Sequence, residues 1–177
     1  VPEANREVTR LRRWQRAKTV RINGPCMSLY FEDLTVGDRY EAGEYTVERD
    51  EIISFAEQFD PQPFHIDEAA AEESVFGELV ASGLHTLCLS TRIFVTEFVH
   101  PEDGLENMGG LGMDDLRWHE PVRPGETLRI EIEVDEKSPS ESHDDRGYVD
   151  FVRHTYTDER VMSVRSYNIV RRRGADE

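Results

Sequence analysis

A chain of 177 residues has room for one domain with a substantial core but not for two, and 37% apolar with 33% charged residues describes a polar globular protein. A formal net charge of −16 excludes the basic face that nucleic-acid binding requires and opposes docking on anionic membrane surfaces. Nineteen Arg but only two Lys, Lys18 and Lys137, carry the positive charge. Lys depletion beside so large an acidic excess is expected of a halophilic protein, because strong salt confines self-repulsion to short range.

Residues 1–26 stand apart: seven basic against two acidic residues, net +5, where residues 27–177 hold 14 basic against 35 acidic, net −21. They are read as a basic N-terminal extension, mobile or appended, ahead of a single domain spanning 27–177. The extension has no apolar stretch of signal-peptide type, and Cys26 and Cys88 suit neither a disulfide framework nor a metal site, so a cytoplasmic setting is expected.

Alternation from Tyr40 to Val47 predicts a first strand. Asp50 then caps a short helix over 51–59, whose apolar face is Ile52, Ile53, Phe55, Ala56 and Phe59. Pro61 and Pro63 end it and impose an extended loop, since a residue before proline avoids the helical region. Asp67 starts another short helix through Ala71, ending near Gly77. A central helix follows over about 82–99, apolar around most of its circumference and so in need of a wrapping. Arg92 and Glu97 interrupt it too strongly for a membrane span. Beyond Pro101 the signals are for strands at 111–118, 127–134, 147–158 and 161–170. One strand, a buried helix and four further strands make an α+β pattern.

The chemistry concentrates in Phe59-Asp60-Pro61-Gln62-Pro63-Phe64-His65 and in Ala81-Ser82-Gly83-Leu84-His85-Thr86. An isolated Asp-Pro is a turn and an isolated His is a surface or core residue. Here the carboxylate and imidazole share a proline-stiffened loop, and a Ser-Gly helix start follows. Such a pair can hold a water between two proton-transfer groups. A helix N-terminus can stabilise the negative charge formed when that water attacks a conjugated double bond. Two roles stay open for Gly83: an oxyanion donor through its first-turn N–H, or a residue that permits close helix–sheet packing. His85 is read as a core histidine. His65, Asp67 and His85 lack zinc-type spacing, so no metal is expected.

The run Phe55-Ala56, Asp60-Pro61-Gln62-Pro63-Phe64-His65-Ile66-Asp67, Ala71, Phe76-Gly77 and Ala81-Ser82-Gly83 resembles the MaoC-like branch of the hotdog-fold superfamily. Leu116-Arg117-Trp118 and Pro121-Val122-Arg123-Pro124-Gly125-Glu126-Thr127-Leu128 extend the likeness. Gln62 replaces the Asn common in that loop, and Ser82 the His common at that helix start. The resemblance implies a single hotdog: a curled antiparallel sheet around a central helix, pairing into a homodimer. It implies (R)-specific hydration of trans-2-enoyl-CoA, or dehydration of 3-hydroxyacyl-CoA, with Asp60 and His65 catalytic. Gly83, with Ser82 and Gln62, would bind the substrate oxygen. An acyl-CoA thioester is then the substrate and no cofactor is needed. Arg117 or Arg123 could meet the phosphates of the carrier. A hotdog thioesterase and a non-catalytic acyl-thioester-binding module are the rival readings.

Overall fold

The computed structural model describes residues 19–20, 28–100 and 104–174, so most of the 1–26 extension lies outside the described residues. Strands β1 (Thr19–Val20), β2 (Arg39–Thr46), β3 (Asn107–Trp118), β4 (Thr127–Pro139), β5 (Arg146–Tyr156) and β6 (Arg160–Arg171) form one sheet in the order β1-β2-β4-β5-β6-β3. All pairings are antiparallel except that of β1, whose two residues run parallel to Arg39 and Tyr40.

Period-two burial places the core on one face. Leu128, Ile130, Ile132 and Val134 of β4, Val149 and Phe151 of β5, and Val164 and Val170 of β6 are all buried. Against them lies the central helix, here α4 (Gly83–Ile93), which continues as a π-helical segment over Phe94–Val99. Phe98, fully buried, meets Tyr40 at 4.9 Å, Phe94 at 5.5 Å and Phe151 at 5.8 Å between ring centroids. Gly43 sits at a β2 bulge with φ +54°, and a Cβ there would come within 2.6 Å of Ile93, so the helix crosses directly on backbone. This is the hotdog fold, a curled antiparallel sheet around a central helix.

Three helices join β2 to α4: α1 (Arg49–Phe59), α2 (Pro63–Ile66) and α3 (Glu68–Glu72). Asp50 does not cap α1. The helix starts two residues earlier behind Glu48, and Asp50 lies in the first turn, favourable to the helix dipole and 3.0 Å from Arg49. Asp67 does cap α3, accepting from Ala70 N–H at 2.8 Å. The extended loop is shorter than expected, because Pro63 with its fixed φ takes the first helical position of α2. Strand β4 runs five residues past Val134, where polar residues pair with β5 beyond a bulge. Strand β3 starts four residues before Leu111, in a glycine-rich stretch without a hydrophobic period.

The wrapping of α4 is partial. Leu84 is 43% exposed, and Cys88 and Arg92 are exposed on the same stripe. The outer strand β3 leaves Met108, Leu111, Met113 and Trp118 exposed as well. Among the described residues no helix is long and apolar enough to cross a membrane.

Candidate active site

Asp60 closes α1. Its N–H completes the helix on Ala56 O at 3.0 Å, while φ −151° and ψ 68° turn the chain out of it. Single-turn α2 then carries His65 inward, where it is 5% exposed. Ser82 caps α4, accepting from Leu84 N–H at 3.1 Å, and its own hydroxyl donates to Asp60 Oδ2 at 2.6 Å. The start of the central helix is thereby tied to the end of α1. Gln62 Nε2 donates to Asp60 Oδ1 at 2.9 Å. Ser82 and Gln62, read from sequence as substrate-oxygen donors, are therefore both engaged with Asp60. The Ser82 hydrogen bond, supported by that of Gln62, holds the Asp60 carboxyl below its ordinary value of 3.8.

The imidazole of His65 is fixed by its far side. Nδ1 lies 2.7 Å from Val80 O, and a carbonyl can only accept, so Nδ1 carries the proton. In the neutral ring Nε2 is then bare. It lies 3.6 Å from Asp60 Oδ2, too far for a direct hydrogen bond. Two acceptors thus face a common point. A water there can donate one hydrogen to each and present its oxygen lone pair outward.

Gly83 opens α4 next to this pair, and its N–H, in the first turn, has no acceptor within the helix. Sequence left its role open between oxyanion donor and packing residue. The structure shows the packing: the Trp118 indole lies where a Cβ on Gly83 would be, 2.5 Å from Trp118 Cε2. Trp118 Nε1 also donates to Gly83 O at 2.9 Å. These contacts do not use the Gly83 N–H.

His85 is 2% exposed, stacked on Phe55 at 4.5 Å and 9°, with Nε2 3.6 Å from Glu51 Oε1. Burial keeps its pKa below 6.5 despite that carboxylate. Arg123 is taken by Glu78, and Arg117 is exposed and donates to Leu116 O at 2.8 Å. Neither is brought to Asp60 and His65 by any of these contacts. Trp118 is the site neighbour that sequence reading missed. The signal for it is its place at the end of β3, three residues after Asp115, whose φ of +52° marks a bulge that redirects the strand.

The curled sheet around a central helix makes this a hotdog protein, with an Asp–His pair beside the N-terminus of that helix. The MaoC like domain family matches residues 32–150, and the chain belongs to that MaoC-like dehydratase family. A MaoC-like dehydratase from Rhodospirillum rubrum superposes with a TM-score of 0.75 at 40% identity, over 82% of this chain and 99% of that one. The 3-hydroxybutyryl-CoA dehydratase of Methylorubrum extorquens is 32% identical over 113 residues, 63% of this chain and 67% of its own length. R-hydratase PhaJ1 from Pseudomonas aeruginosa, with a TM-score of 0.62 at 24% identity over 81% of this chain and 86% of that one, shares the fold.

Proposed function

We propose that the chain interconverts trans-2-enoyl-CoA and 3-hydroxyacyl-CoA by syn addition or loss of water. The carrying observation is the 3.6 Å separation of Asp60 Oδ2 and His65 Nε2, with the His65 tautomer set by Val80 O. In the hydration direction a water bound between them donates to both. Asp60, kept ionised by Ser82 and Gln62, takes one proton as the water oxygen attacks C3. His65 orients the water and shares the proton transfer. The electron pair of the double bond moves to C2 and the thioester oxygen, where the Gly83 N–H and the positive end of α4 meet the enolate-like charge. The proton returns to C2 from the face on which the hydroxyl was placed, so water is added syn and no atom is left over.

Two copies complete the assembly in this reading. Strand β3 is an edge of the sheet, with Met108, Leu111, Met113 and Trp118 exposed along it, and an unpaired apolar edge is a natural interface for a second copy. A homodimer joined there places Trp118, and with it the active site, at the junction of two chains. Residues 27–177 are the functional unit.

The thioesterase reading calls for a carboxylate beside the helix that directs water at the carbonyl rather than at C3. Incubation with crotonyl-CoA decides between the readings. Hydration removes the enoyl absorbance without releasing thiol, hydrolysis releases thiol, and an acyl-binding module does neither. Thiol release in step with the loss of the enoyl band would overturn the hydratase assignment.

A further inference from the structure

Arg153 is the most deeply buried charged side chain in the core, 1% exposed on the helix-facing side of β5. Its contacts are all neutral and long. Nη1 lies 3.4 Å from Ser90 O, Nη1 and Nη2 lie 3.4 and 3.3 Å from Thr91 Oγ1, and Nη2 lies 4.0 Å from Met113 Sδ. The guanidinium stacks over Phe94 at 5.0 Å, and Nε has no partner. Among the described residues no carboxylate pairs with it. Burial pulls its pKa down to about 10, which still leaves a cation at neutral pH. Buried Ser90 on α4 and Thr155 on the same strand, hydrogen-bonded to each other, are hydroxyls and bring no charge. A buried guanidinium normally carries a carboxylate, because an unpaired charge away from water is costly.

The fold connects this cation to the active site. Gly83, Leu87 and Thr91 recur every four residues on α4, so they share one face, and all three are half-buried. Two residues of β3 touch the ends of that face: Trp118 Nε1 donates to Gly83 O, and Met113 Sδ lies 4.0 Å from the Arg153 Nη2 that also reaches Thr91 Oγ1. From Gly83 to Thr91 the helix rises about 12 Å. Met113 is 46% exposed, and its thioether is a weak acceptor on a flexible side chain that can give way to a stronger one.

We propose that Arg153 receives a carboxylate at the far end of the acyl group, so that the preferred substrates are ω-carboxy-2-enoyl thioesters of medium length. The tail runs along the Gly83–Leu87–Thr91 face, displaces the Met113 thioether, and ends as a charge-assisted pair with the guanidinium. This specificity rests on the hydratase reading of the same site.

The test is calorimetric binding of a saturated, unreactive ω-carboxyacyl-CoA against the ω-methyl acyl-CoA of equal length. Wild type is expected to favour the ω-carboxy compound by about tenfold or more, the effect of one hydrogen-bonded charge pair. Arg153→Met should reverse the preference. Met113→Glu, at an exposed position that tolerates substitution, should raise the thermal midpoint and abolish the preference by supplying its own carboxylate. Equal binding by wild type overturns the proposal, as does a preference that survives in Arg153→Met or Met113→Glu. Crotonyl-CoA hydration, measured in parallel, needs no carboxylate. Its absence with intact ω-carboxy preference would sink the hydratase reading alone, and its presence without any preference would sink the receptor alone.

Discussion

At the start of α4 the Asp60 carboxylate receives Ser82 Oγ at 2.6 Å and Gln62 Nε2 at 2.9 Å, with His65 Nε2 at 3.6 Å. Two turns further along the same helix, the Arg153 guanidinium touches only neutral acceptors, at 3.3 Å and beyond. The first charge is fully supported before any substrate arrives, which is what a proton-transfer group needs: its donors cost no rearrangement during the reaction. The second is under-satisfied, which suits a group completed by binding. In the proposed reading, one end of the α4 face serves chemistry and the other recognition.

The largest effect should come from breaking the organised end. Asp60→Asn and His65→Gln are each expected to lower turnover on crotonyl-CoA by roughly 10²–10⁴-fold, the range for a positioned proton-transfer group. The double mutant should lose little more than the worse single one, because groups acting on one water are not additive. Melting curves of the four proteins should stay close together. Effects that multiply, with altered stability, would make the pair structural.

Ser82→Ala sharpens the same end. It removes the strongest donor to Asp60 and should lower kcat/KM by about tenfold, one hydrogen bond to a charged group being worth roughly 1.5 kcal/mol or more. Asp60 is held below 3.8 in the folded protein, so its ionised form, and the stability it contributes, persist above that value and fade as pH falls through the depressed one. Without Ser82 the acid limb of the kcat/KM profile should move up. An unmoved limb would mean that the hydroxyl serves only the helix cap.

Most of the organised end was legible in the sequence because its parts are local. Asp60, Gln62 and His65 lie within six residues, two prolines set the loop, and Ser82-Gly83 is a capped helix start with chemistry of its own. The other end was not. Arg153 read as one more arginine among nineteen in an alternating strand, and nothing in its neighbourhood in the chain shows that it faces inward without a carboxylate. That fact arises from register, which sets Arg153 opposite Ile132 on β4 and Val164 on β6, beneath Ser90 and Thr91. The α4 stripe was hidden for a related reason. Apolar residues around a helix predict a full wrapping, but one curled sheet covers only part of the circumference and leaves Leu84 and Cys88 outside.

His85 offers a third buried ionisable group between these two ends, neutral through burial. Its folded pKa lies below 6.5, so the unfolded chain binds the extra proton first. Its contribution to stability is whole above about 6.5 and is lost as pH falls from there toward the depressed value. His85→Gln should flatten the melting temperature over that interval, measured by calorimetry at closely spaced pH. An unchanged slope would assign the pH dependence to other groups.

Salt acts on the surface rather than on either end. With net −21 over residues 27–177, self-repulsion extends about 30 Å at 0.01 M and about 3 Å at 1 M. The melting temperature is expected to rise by several degrees between those limits, while the ratio of ω-carboxy to ω-methyl binding changes little, because a buried pair is screened far less. A melting temperature flat in salt would remove the halophilic reading. A binding preference that vanishes in salt would place the carboxylate at the surface.

The smallest effect is expected from deleting residues 1–26. Both ends of the α4 face are built from residues beyond that segment, and the core cluster begins at Phe31. What the deletion removes from the described structure is the two-residue pairing of Thr19 and Val20 with Arg39 and Tyr40 at the edge of β2. That edge is the far side of the sheet from β3, four strands away from Arg153's Met113 neighbour. Two ladder residues at an edge contribute little, since each hydrogen bond they lose in the sheet is replaced by one to water. Midpoint, turnover and ω-carboxy preference of the truncated protein should therefore stay near those of the full chain. A large drop in turnover or preference would show that the basic segment reaches across to the active-site face, and its net +5 would then become a candidate partner for the phosphates of the carrier.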